Sequence, residues 1–166
     1  TFTYTGDNSG ATVTITSGAR PGEFYNLVIQ DANASDTFNL DEDLTVHGSL
    51  TLAATNAATA DFSMNTVTLE GDFDLEAGTF TAPGSAETFT VGGDWTRGSG
   101  TFNPNGGVVT LATDSVTQTF SGNTTFYGLV KNVPADPAQE YSLIFTSGST
   151  QTVNRLLTLQ GDSNAD

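Results

Sequence analysis

The chain has no cysteine, one histidine, one methionine, one tryptophan and only four lysines and arginines among its 166 residues. Without cysteine there is no disulfide and no thiol nucleophile. The bases stand far apart, at Arg20, Arg97, Lys131 and Arg155. Nucleic acid and anionic membrane surfaces are therefore not expected as partners, because binding phosphates needs clustered cations. Against these four stand 19 acids, for a net charge of −15. Charged residues are 14% of the chain, against about 25% in an average soluble protein; threonine, serine, asparagine and glycine fill the place. No apolar run approaches the roughly 18 residues of a spanning helix, and no secretory leader is recognisable. Membrane insertion is not expected. The first residue is Thr1 rather than methionine, so a processed or excised segment is expected, with residues 1–166 forming one unit of a longer array or fibre.

Helical periodicity is missing too: no stretch places apolar residues at i, i+3, i+4 and i+7. Short alternating runs recur instead, among them Leu44-Thr45-Val46, Leu50-Thr51-Leu52, Val67-Thr68-Leu69, Phe73-Asp74-Leu75 and Phe89-Thr90-Val91. Their β-branched and aromatic content, closed by Gly or Asp, predicts many short strands.

The runs repeat. Leu44-Thr45-Val46-His47-Gly48-Ser49-Leu50 aligns with Val67-Thr68-Leu69-Glu70-Gly71-Asp72-Phe73, and that with Phe89-Thr90-Val91-Gly92-Gly93-Asp94-Trp95, at offsets of 23 and 22. Gly78-Thr79-Phe80 and Gly100-Thr101-Phe102 share the offset of 22. Such a period predicts an all-β fold, a parallel β-helix (β-solenoid) of about seven coils of about 22 residues. A longer echo pairs Phe24-Tyr25-Asn26-Leu27-Val28 with Phe126-Tyr127-Gly128-Leu129-Val130 at an offset of 102, which reads as one and a half copies of a supra-repeat.

In such a coil the ladders Leu44/Val67/Phe89, Val46/Leu69/Val91 and Leu50/Phe73/Trp95 face inward, and period-2 alternation sends Thr45, Thr68 and Thr90 outward. Gly48, Gly71 and Gly93 mark a corner, where glycine meets a positive φ at no steric cost.

The strings Gly-Thr-Phe-Asn-Pro, Thr-Gln-Thr-Phe-Ser-Gly and Leu-Thr-Val-x-Gly-Ser-Leu-Thr-Leu resemble segments of very large bacterial secreted or surface proteins. Those arrays are similar to filamentous-haemagglutinin-like and adhesin β-helices. The resemblance covers residues 1–161 and implies a right-handed solenoid serving as stalk or scaffold. It brings no catalytic motif.

Sites of chemistry are few. Asp72 and Asp74 share one strand face with Asp94 one coil above, which is either an acidic patch for acid–base work or a solvated turn. His47, Arg97 and Trp95 read as a turn residue, a surface cation and a core aromatic. Asp31, Asn33, Ser35, Asn39 and Glu42 occupy positions 1, 3, 5, 9 and 12 of an EF-hand-like spacing that would ring calcium with oxygens. Asp36 stands where that loop requires Gly, so an ordinary polar loop is the competing reading. Asp162, Asn164 and Asp166 begin a second such run. Calcium is the only cofactor suggested. Thr-x-Thr pairs, in register at Thr66/Thr68 and Thr88/Thr90, suit an ice-binding face. Tyr25 and Tyr127, each beside a Phe, suit sugar stacking.

The expectation is a non-enzymatic structural segment of a bacterial extracellular or cell-surface protein, an adhesin stalk or fibre. Its partners would be further coils, head-to-tail copies or glycans. A carbohydrate-binding module and an ice-binding solenoid are the alternatives.

Overall fold

The computed structural model describes residues 1–6, 10–16, 22–31, 35–54, 58–112, 117–133 and 141–161. All regular structure among them is β. The first five coils each carry three strands: β1 (Phe2–Thr5), β2 (Thr12–Ile15) and β3 (Glu23–Phe24); β4 (Leu27–Gln30), β5 (Thr37–Leu40) and β6 (Leu44–Val46); β7 (Leu50–Ala53), β8 (Thr59–Asp61) and β9 (Val67–Leu69); β10 (Phe73–Ala77), β11 (Thr79–Thr81) and β12 (Phe89–Val91); β13 (Trp95–Arg97), β14 (Thr101–Asn103) and β15 (Val108–Leu111). Two strands per coil follow: β16 (Thr117–Ser121) with β17 (Thr124–Asn132), then β18 (Ser142–Phe145) with β19 (Gln151–Gln160).

Every strand pairs in parallel with its counterpart one coil away. Three sheets result: β1-β4-β7-β10-β13-β16-β18, β2-β5-β8-β11-β14 and β3-β6-β9-β12-β15-β17-β19. In the first sheet the inward residues Phe2, Leu27, Leu50, Phe73, Trp95, Phe120 and Phe145 stack at offsets of 25, 23, 23, 22, 25 and 25. That is a β-solenoid of about six turns, each near 23 residues, one turn fewer than division of the length suggests. The three expected ladders stand in the expected register. Each of their members is at most 2% exposed, and burying one such side chain contributes about 1.5–3 kcal/mol.

Two expectations need correction. Gly48, Gly71 and Gly93 do not have the positive φ anticipated for them. They are glycine because the corners stack backbone on backbone: a Cβ on Gly71 would lie 2.4 Å from the Gly48 carbonyl oxygen, and one on Gly93 2.6 Å from the Gly71 carbonyl carbon. The longer echo is not structural. Phe24-Tyr25-Asn26-Leu27-Val28 bends from the third sheet into the first, whereas Phe126-Tyr127-Gly128-Leu129-Val130 runs within the single strand β17. In both strings the Phe is buried and the Tyr outside, at 73% exposure for Tyr25 and 38% for Tyr127.

The second sheet stops at β14. In the next coil the chain passes from β16 directly into β17, whose first half lies over the end of β14 and whose second half pairs with β15. A register shift between Phe126 and Gly128, in the pairing with β19, marks the join.

Candidate functional site

Two of the three acids that suggested acid–base chemistry, Asp72 and Asp94, are bound into the corners. Where the third sheet turns into the first, Asn26 Oδ1 accepts from the Ser49 amide at 2.9 Å, Asp72 Oδ1 from the Asp94 amide at 2.8 Å and Asp94 Oδ1 from the Thr119 amide at 2.7 Å. Each side chain thus satisfies a backbone donor one coil further on, a group costly to leave unmade when shielded from water. Asp43 does the same for Thr66 at 2.9 Å. Asp74 projects from β10 beside this column. Burial first, then the Asp72 carboxylate, raises its pKa above the ordinary 3.8; Glu76 and Asp94 add to the rise and a Thr96 hydrogen bond opposes it. His47 Nδ1 sits 2.9 Å from Glu70 Oε2 in the next coil, both side chains about half exposed.

The residues of the calcium spacing are used separately. Asp31 and Asp36 are buried at the corner between the first and second sheets; Asp31 Oδ2 accepts from the Asp36 amide at 3.3 Å, and Asp36 Oδ1 from the Ala11 amide at 3.0 Å in the coil below. A Cβ on Gly6 would lie 2.2 Å from an Asp36 oxygen, so these carboxylates pack against bare backbone. Ser35 is exposed, Asn39 lies in β5 between Thr14 and Asp61, and Glu42 Oε1 accepts from the Gly22 amide at 2.8 Å. Asn33 falls outside the described residues, as do Asp162, Asn164 and Asp166. Among the described residues no three His, Asp or Glu side chains gather as a metal site.

Three features escape the sequence reading. The first is a row of five threonines on the second sheet: Thr12, Thr37, Thr59, Thr79 and Thr101 face outward in register. Beside it run Thr14, Asn39, Asp61, Thr81 and Asn103. The second is a polar knot inside the coil. Gln118, fully buried, donates through Nε2 to the carbonyls of Val91, Gly92 and Gly93 at 3.0–3.1 Å and accepts from the buried Lys131 Nζ at 2.7 Å. Lys131 Nζ also donates to the Ala112 carbonyl.

The third is a cleft of about 260 Å³ where the second sheet ends, lined by Arg97, Thr101, Phe102, Thr124, Thr125 and Thr152 among others. Arg97 forms one wall, its Nε donating to the Gly100 carbonyl at 2.6 Å and its Nη1 to the Asn123 carbonyl. Trp95 lies beneath, fully buried, its indole N–H donating to Thr124 Oγ1 at 3.1 Å. No protein-family model, curated protein or solved structure matches this chain.

Proposed function

We propose that the chain is a non-enzymatic structural segment of a bacterial extracellular or cell-surface protein, an adhesin-type stalk or self-associating fibre. One observation carries the reading. The first-sheet ladder runs from Phe2 to Phe145 without interruption, and its two terminal phenylalanines are 51% and 46% exposed. Leu157 and Leu159, which continue the third-sheet ladders over Leu129 and Lys131, are likewise half exposed. Such outer layers offer parallel strand edges and core-type side chains that fit another solenoid layer, from further coils or from a copy stacked head to tail. The resemblance of the repeat strings to filamentous-haemagglutinin-like arrays supports the same assignment. Sedimentation and electron microscopy over a concentration series test it. Elongated particles that lengthen with concentration are expected, with Phe145→Asp abolishing the growth; a compact particle of constant mass would overturn the fibre reading.

A second reading, an ice-binding face, is favoured by the five-threonine row. Threonines spaced about 4.8 Å between strands on a regular sheet form a repeating hydroxyl lattice. Thermal hysteresis lost in Thr59→Lys tests it, and absence of hysteresis removes it.

A further inference from the structure

We propose that the cleft at the end of the second sheet binds the carboxylate of an acidic saccharide, with the Arg97 guanidinium as its anchor. The proposal goes beyond the structural assignment and does not rest on it.

The cleft follows from the topology. A strand above β14 would fill the space; instead Thr124 and Thr125 lean toward the third sheet as the start of β17, and a gap remains over Thr101 and Phe102. Arg97 is fixed at its edge by the two carbonyls of Gly100 and Asn123. A guanidinium has five N–H donors, so these bonds leave part of the fork free. Among the described residues no carboxylate forms an ion pair with it; the His47–Glu70 contact lies elsewhere on the coil. In a chain of net charge −15, an orientated cation without an acidic partner is a place prepared for an anion.

The surroundings select the anion. The remaining acids create a negative field, which favours a ligand that carries one carboxylate per sugar unit over a densely charged phosphate or sulfate cluster. Thr101, Thr125 and Thr152 supply hydroxyls that both donate and accept, which suits a ring rich in hydroxyls. The volume of about 260 Å³ is below that of pockets for drug-sized ligands, about 300–1,000 Å³, so one sugar unit is accommodated. Thr101 is also the last rung of the outward threonine row. A saccharide chain anchored here therefore has hydroxyls to follow along the second face. A lone carboxylic acid would make no use of them.

The test titrates the intact chain with trigalacturonate, maltotriose and sodium acetate, read by amide chemical shifts and calorimetry. Trigalacturonate is expected to bind near about 1 mM and to shift Thr101, Thr125 and Thr152, while the other two give no saturable shift there. Arg97→Gln should weaken binding about tenfold or more. Because Arg97 also braces two carbonyls, Thr125→Asp serves as a second variant: it places a carboxylate in the cleft, leaves those bonds intact and should abolish binding. Failure of trigalacturonate to bind, equal binding by acetate or maltotriose, or unchanged affinity in Thr125→Asp would each overturn the proposal.

Discussion

The Lys131 ammonium lies inside the solenoid and donates to the Gln118 side-chain oxygen at 2.7 Å, in a ladder position occupied by Leu111 below and Leu159 above. Gln118 in turn covers three carbonyls of the corner beneath it. An apolar ladder thus tolerates a cation because a neighbouring amide supplies an oxygen and absorbs carbonyls that face inward.

Gln118→Leu should cost about 2–3 kcal/mol, since it takes an acceptor from a buried ammonium and removes the amide that donates to the corner carbonyls. Combining it with Lys131→Met should cost less than the two single changes summed, by about 1 kcal/mol. Urea midpoints of the four proteins check the coupling; strict additivity would show the two groups to be independent.

Leu69 stands fully buried between Val46 and Val91, while Thr68 beside it faces outward. Leu69→Asp should lose more than about 4 kcal/mol, through an unpaired charge in the ladder. Thr68→Asp should stay within about 1 kcal/mol of the parent. Equal melting temperatures would show the inward and outward faces to be misassigned.

Gly71→Ala and Gly106→Ala separate two reasons for glycine. A Cβ on Gly71 meets the Gly48 carbonyl oxygen at 2.4 Å, whereas Gly106, at φ 75°, has nothing within 4 Å of its Cβ position. Gly106→Ala should cost about 1–2 kcal/mol, the penalty of a left-handed residue with a side chain. Gly71→Ala should cost more, because two coils must separate to admit the methyl group. Thermal melts rank them, and the reverse order would contradict the stacking explanation.

The raised pKa of Asp74 means that the fold prefers its protonated form. Its contribution to stability is therefore fully present below the ordinary carboxylate value and is lost as pH rises through the raised folded value. Asp74→Asn should raise the melting temperature by about 1–3 °C near pH 7 and leave it unchanged near pH 3, where the parent is protonated too. A gain that persists in acid would point to another cause.

The inward ladders were readable because period-2 alternation and a spacing of 22–23 both survive in Leu44, Val67 and Phe89 and their neighbours. The second sheet was harder to read. Its β8 offers only Ala60 as an inward apolar residue, and its coil offsets of 25, 22, 20 and 22 drift. A fixed period therefore does not bring Thr12, Thr37, Thr59, Thr79 and Thr101 into one row. The alignment of His47 with Glu70 was legible and is a contact. The cleft beside Arg97 was not, because it arises from a strand that the second sheet lacks, and no local pattern records an omission. The Phe-Tyr echo misled for a related reason. Five residues specify the buried Phe and outward Tyr but not whether the chain bends after them.

The parallel pairing of every coil with the next has a mechanical side. The hydrogen bonds between coils point along the solenoid axis, so tension applied along that axis opens the outermost coil while those behind it remain closed. Each coil adds about 4.8 Å to the folded length, yet its residues, near 23 in number, reach about 80 Å once drawn straight. The segment would lengthen under load in steps, each releasing more than ten times the height of the coil it consumes.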